Sequence, residues 1–252
     1  DDNASIETKV KGFEVDGNGK RTSGIQIGPT WSGNAKNLDG AMKTIENCVV
    51  HDCTAIGYDS TTGDYYYGIK VSPNYDKSMS NVHILNNIVY NTLRSGIALY
   101  PSNYLVTTNV LSNALVRGNE VYNAGRDTTS AGGGITVKNE VRDSVIEFNY
   151  LHNNSGPGAD ALSGGLSGGP YCNAPYNLHI RYNSITDNGN SIYRTANWSA
   201  GIMFGGASLI DGGFNNGDVK VYGNLIYKNN AHGVVIKNTM AGTNSIKIYN
   251  NT

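Results

Sequence analysis

The chain has 252 residues, 38% apolar and only 15% charged, with 19 Lys and Arg against 20 Asp and Glu for a net charge of −1. That length can bury a sizeable core, and a charge so near zero excludes a strong field for nucleic acid or for a membrane surface. Cys48, Cys53 and Cys172 cannot all pair with one another, their spacing is not a zinc signature, and no apolar run is long enough to span a bilayer.

Taken in chain order, one phrase keeps returning: an apolar residue, Asn three later, an apolar residue five later. A degenerate copy opens at 10–15, full copies follow at 45–50, 84–89, 116–121, 146–151, 180–185 and 221–226, and a truncated one begins at Ile248. A second phrase, Gly followed by alternating apolar residues, comes after most of them, at 24–27, 68–71, 96–99, 134–137, 201–204 and 233–236. Units that cannot bury their own apolar face must stack on their neighbours, so the chain reads as a solenoid. The phrases are short, β-branched, alternating and bounded by Gly, Asn, Asp or Ser, which predicts strands. Val82, Ile84, Val89, Ile97 and Leu99 then face a shared core, and His83 and Ala98 face away. In the fifth coil only residues 161–166, ahead of a Gly-rich run, offer a strand.

The third position of the first phrase predicts a ladder. Asn carries one acceptor and two donors, so Asn87, Asn119, Asn149, Asn183, Asn224 and Asn251 can bond to one another at the strand spacing of about 4.8 Å, with Cys48 in the same slot as a small hydrophobe. Tyr90, Tyr122 and Tyr227, with His51 and His152, share the sixth position and are expected to form a structural stack.

This alternation of phrases, from Val10 to Thr252, resembles the parallel β-helix repeat of the pectate-lyase-like superfamily. The resemblance implies an all-β, right-handed parallel β-helix of about seven coils with long loop insertions, a single domain over residues 1–252. That domain is read as excised from a larger secreted protein, or as capped by atypical ends such as residues 1–8. The superfamily includes polysaccharide lyases, glycoside hydrolases, uronan epimerases, esterases, phage tailspikes and adhesins, so the motif speaks to fold and says little about activity. The Asp-Pro-His of the epimerases, the polygalacturonase set and the Trp-Ile-Asp-His of the best-known pectate lyases are missing.

The repeat period stretches where loops are inserted on both flanks of the third strand, which predicts a trough with that strand's outward face as its floor. The floor reads Gln26, Lys70, Ala98, Thr136, Met203 and Val235, then Gly28, Ser72, Tyr100, Lys138, Gly205 and Lys237 one step on. β-Elimination on a uronate needs a base for the C5 proton and a cation for the neighbouring carboxylate. Lys70, Arg94 and Lys138 are the candidates for those roles. Tyr65, Tyr67, Tyr100, Arg126, Arg194 and Trp198 are candidates for binding the sugar chain, and Asp59, Asp64 and Asp127 for holding calcium, the candidate cofactor. A hydrolase would need two carboxyls across the bond, yet Glu14, Glu46, Glu120 and Glu147 all fall away from the trough. His83 and His179 are three coils apart and cannot share a metal.

The leading expectation is an extracellular polysaccharide lyase on an acidic glycan, a monomer without nucleic-acid partner or membrane insertion. A non-catalytic polysaccharide-binding module or adhesin, and a glycoside hydrolase on the same fold, are the alternatives.

Overall fold

The computed structural model describes residues 7–19, 23–28, 41–54, 67–73, 78–101, 110–126, 132–137, 141–156, 159–161, 175–189, 200–204, 218–236 and 245–252. Among these residues the chain forms three parallel sheets, each strand pairing with its counterpart in the coils before and after. The first sheet has eight strands: Thr8–Lys11, Lys43–Glu46, Met79–Leu85, Leu111–Arg117, Val141–Glu147, Tyr176–Arg181, Asp218–Tyr222 and Ser245–Tyr249. The second has seven: Glu14–Asp16, Val49–Cys53, Ile88–Thr92, Glu120–Tyr122, Tyr150–His152, Ser184–Thr186 and Leu225–Tyr227. The third also has seven: Ile25–Ile27, Ile69–Val71, Ile97–Leu99, Ile135–Val137, Ala159–Ala161, Ala200–Phe204 and His232–Ile236.

Register turns the repeated phrases into columns. Ile45, Ile84, Val116, Ile146, Ile180 and Val221 stand beside one another along the first sheet, and all are buried. Val50, Val89, Val121, Leu151 and Ile185 do the same in the second sheet. Each such side chain contributes roughly 1.5–3 kcal/mol of burial, and these two columns, with Ile69, Ile97 and Ile135 of the third sheet, fill the inside of the coil.

The corners explain the polar letters of the repeat. At the first corner Asn149 is typical: its Oδ1 accepts from the backbone and side-chain nitrogens of Asn119, both at 2.9 Å. Its Nδ2 donates to the Val116 carbonyl at 3.0 Å and to Asn183 Oδ1 at 2.9 Å. The same pattern runs through Asn87, Asn119, Asn183, Asn224 and Asn251. Peptide groups that leave the sheet at the bend are thereby paired inside the coil. Cys48 occupies the predicted slot, buried, its backbone N–H donating to Asn87 Oδ1.

A second ladder stands five residues on, where Asn154, Asn188 and Asn229 repeat the arrangement at the corner between the second and third sheets. The earlier coils fill those positions with Cys53, Thr92 and Ala124, all wholly buried. Burial pushes the Cys53 thiol up to about 11, and both Cys48 and Cys53 are free thiols. The same corner accounts for the Gly of the second phrase. A Cβ on Gly24, Gly68 or Gly96 would lie 2.2–2.3 Å from a methyl of Val50, Val89 or Val121, so only glycine leaves room for the β-branched column.

Two expectations need correction. The fifth-coil strand is Ala159–Ala161, beginning two residues before the expected start at Ala161, and residues 162–166 lie outside the described residues. It pairs with Ile135–Val137 and Ile202 to Phe204 and keeps the third sheet continuous, the alternation Ala-Asp-Ala being too small to stand out beside the glycines. The aromatic stack comprises His51, Tyr90, Tyr122 and His152, with ring centroids 4.9, 4.9 and 5.1 Å apart. Tyr227 is outside it, because Thr186 holds the intervening position.

Candidate active site

The outward column of the third sheet is Gln26, Lys70, Ala98, Thr136, Met203 and Val235, with Asp160 at the backbone position paired between Thr136 and Met203. Asp160 enters it through the corrected fifth strand and was invisible to sequence patterning. The middle of this face is covered rather than open. Lys70 is only 4% exposed and Arg94 6%, while Ala98, Thr136 and Met203 are wholly buried. Lys70 thus stands at the expected outward position of the third sheet and is buried there.

Around Lys70 the described side chains are hydroxyl-rich and aromatic. Its Nζ lies 5.9 Å from the centroid of the Tyr67 ring, within range of a cation–π attraction. Tyr67 is buried, and its ring is 6.3 Å from that of Tyr100, the half-buried neighbour one coil on. Ser95 Oγ and Thr136 Oγ1 are 2.5 Å apart, both buried. Ser95 was missed because it precedes the Gly-apolar phrase and belongs to no repeated position. Arg94 sits at the same corner, its carbonyl accepting from Thr92 Oγ1 and from the Gly125 N–H. Lys70, Tyr67, Tyr100, Ser95 and Thr136 thus belong to neighbouring coils around the third sheet, and Arg94 to the corner that leads into it. Arg126 is exposed and follows the second sheet of the Asn119 coil. Lys138, Tyr65, Arg194, Trp198, Asp59, Asp64 and Asp127 lie outside the described residues.

Among the described residues, Asp16, His51 and Asp52 bring their ligand atoms within 4.8 Å of one another. This group does not fit calcium, a hard cation that takes oxygen ligands. His51 Nδ1 stands 2.7 Å from Asp52 Oδ2, and Asn91 Nδ2 donates to the other carboxylate oxygen at 3.1 Å. Glu14 lies 3.3 Å from His51 Nε2. The hydrogen bond to Asp52 raises the pKa of His51 against its burial, with Glu14 adding to the effect, and the same contact lowers that of Asp52. His51 is thus the one imidazole among three carboxylates, those of Asp16, Asp52 and Glu14. It lies on the second sheet, away from the column of Lys70.

The profile of the family described as "right handed beta helix region" matches residues 80–252, more than half of the chain. The chain belongs to this right-handed β-helix family. The expected handedness is therefore met, along with the parallel coil. No curated protein sequence matches the chain. Among solved structures, the A-module of mannuronan C-5 epimerase AlgE6 from Azotobacter vinelandii is similar in fold, with a TM-score of 0.53 at 15% identity over 98% of this chain and 57% of that one. The pectate lyase Pel9A is similar with a TM-score of 0.50 at 14% identity over 91% of this chain and 60% of its own. This β-helix chain spans less than two thirds of the length of either.

Proposed function

We propose that the chain acts on an acidic, uronate-containing polysaccharide at the outward face of the third sheet, by β-elimination. The observation that carries the reading is the cluster of Lys70 with Tyr67 and Tyr100, flanked by Arg94 and the Ser95–Thr136 hydroxyl pair, around the third sheet and the corner that leads into it. Its support from fold comes from solved β-helices whose names specify mannuronan and pectate as substrates, at identities that speak for fold alone.

In this reading the sugar carboxylate is neutralised by the Arg94 guanidinium, which makes the C5 hydrogen acidic. The Lys70 amine takes that proton, the C5–H electrons form the C4–C5 double bond, and the C4–O4 bond breaks. The leaving O4 takes up a proton, from the lysine or from water. Tyr100, the more accessible of the two tyrosines, offers its ring to the C–H face of the adjoining sugar. Lys138, Arg126, Arg194, Tyr65 and Trp198 are proposed as further contacts along the chain, and Asp59, Asp64 and Asp127 as carboxylates for a calcium ion.

A second reading, a secreted glycan-binding module without turnover, is favoured by the burial of Lys70 and Arg94, since a polymer reaches a buried base poorly. The test is incubation with mannuronan and polygalacturonate, with and without calcium, following absorbance of unsaturated products. Lys70→Met keeps the buried stem and removes the amine. It should reduce turnover about 10²- to 10⁴-fold while leaving the fold intact. Undiminished product from the variant would remove Lys70 from the mechanism, and retention on the polymer without any product would establish the binder.

A further inference from the structure

The position just before the Asn ladder is left-handed in every full coil. Its column reads Asn47, Asn86, Gly118, Phe148, Tyr182, Gly223 and Asn250, with φ between 53° and 68°. Asn and Gly adopt that conformation readily, whereas a bulky residue there is an outlier that stores strain. Yet two adjacent coils place Phe148 and Tyr182 there, at φ of 56° and 55°. Neither serves the core, because Phe148 is 57% and Tyr182 47% exposed. Their rings lie against each other, centroids 5.3 Å apart at 22°.

The pair is held in place from the next coil. A Cβ on Gly223 would stand 2.6 Å from two carbons of the Tyr182 ring, so this ring lies flat over a residue with no side chain. Tyr222 meets it edge-on at 5.7 Å. Beside the rings, Glu147 is buried and binds two arginines. Arg117 Nε donates at 2.6 Å to one carboxylate oxygen, with Arg117 Nη2 bonding the same atom, and Arg181 Nε donates at 2.7 Å to the other. Burial raises the pKa of Glu147, but the two arginine bonds outweigh it and hold the carboxyl below the usual range. Two cations and one anion leave this group with a net charge of +1. Arg181 also donates from Nη1 to the Tyr222 hydroxyl at 2.9 Å, and its Cζ is 5.8 Å from the Tyr182 centroid. Its second terminal nitrogen takes no part in those bonds.

We propose that this corner is a glycan-binding surface distinct from the third-sheet face. The rings of Phe148 and Tyr182 stack on sugar C–H faces, and the Arg117 and Arg181 pair meets a carboxylate, so the ligand is a uronate-bearing chain. Strain retained in two successive coils for exposed rings is what a binding surface requires and a folding device does not. The proposal stands whether or not the third sheet turns substrate over.

The test uses the full chain, with Phe148→Asn and Tyr182→Asn combined, which restores the residue type of the other coils in this column. Retention in gels containing mannuronan, polygalacturonate or a neutral β-glucan gives apparent Kd values, and thermal unfolding is measured in parallel. The double variant should bind the two uronans about tenfold or more weakly, a difference of about 1.4 kcal/mol, with a Tm equal to or above that of the parent. Unchanged retention, loss of retention only together with a fall in Tm, or parent protein binding neutral glucan as well as the uronans would overturn it. So would a parent with no affinity for either uronan. Lys70→Met should leave retention at this corner in place, and abolition of all uronan binding by that variant alone would also overturn the proposal. Product formation in the earlier assay judges the third sheet separately.

Discussion

Asn149→Ala tests the central device of the fold. The substitution removes four hydrogen bonds, two accepted by Oδ1 and two donated by Nδ2. Some partners keep alternatives: the Asn119 side chain still reaches the Ile84 and Arg117 carbonyls, and Asn183 Oδ1 still accepts from the Asn149 backbone. One group loses the bond described for it, the Asn119 backbone N–H, because the Val116 carbonyl stays within the strand ladder opposite the next coil. At about 1–3 kcal/mol for a buried polar group left unsatisfied, the expected loss is about 1–3 kcal/mol. For a chain of this size about 1 kcal/mol moves Tm by roughly 2–4 °C, so a loss near the middle of that range lowers Tm by about 4–8 °C. Thermal and urea unfolding followed by circular dichroism measure both quantities. A fall of less than about 2 °C would mean that the ladder contributes no more than a surface contact, and the account of the corners would be wrong.

Gly96→Ala should destabilise through overpacking by about 1–3 kcal/mol, because the new Cβ would lie 2.2 Å from the Val121 methyl. Adding Val121→Ala should recover part of the lost Tm, and strictly additive losses would refute that contact. For His51 the folded pKa is raised, so its contribution is fully present below the ordinary imidazole value of about 6.5 and is lost as pH rises through the folded value. Tm measured upward from about pH 6 should therefore include a falling component that His51→Gln removes. Burial lowers the pKa of His179 and gives the opposite slope, so the informative quantity is the difference between parent and variant. An unaltered slope in His51→Gln would show that its contacts with Asp52 and Glu14 are weak in solution.

The inside of the coil was legible because each inward position answers to one column. A residue at the Asn149 position must bond up and down the axis, one at Val121 must fill the core against glycine, and those demands return in every coil. The fold, the Asn ladder, the glycine corners and the His51–Tyr90–Tyr122–His152 stack follow from that repetition. The second ladder was harder to see, because Cys53, Thr92 and Ala124 meet the same space with different chemistry. Asp160 was hidden for a related reason: its strand is defined by pairing with neighbours rather than by apolar residues of its own. The burial of Lys70 had no signal at all. Alternation says which face of a strand a residue takes, and nothing about what lies over that face.

Departure from a column is thus more informative about function than agreement with it. Where the backbone demands Asn or Gly, a residue that satisfies the demand needs no further cause. Phe148 and Tyr182 do not satisfy it, remain exposed, and stand next to a buried carboxylate that fixes two guanidinium groups. Core packing does not use these exposed rings and turn formation does not ask for bulky side chains at positive φ, so the glycan contact proposed above gives them a use beyond their packing on each other and on Tyr222. The same reasoning applies to Lys70 with the opposite sign. A lysine in a column that also accepts Ala98 and Met203 is not required by the coil, and its burial beside Tyr67 brings a desolvation cost that a methionine would avoid. Lys70→Met should therefore be neutral or favourable for stability if the amine is there for chemistry, and a clear loss of Tm would assign it to the structure of the covered face instead.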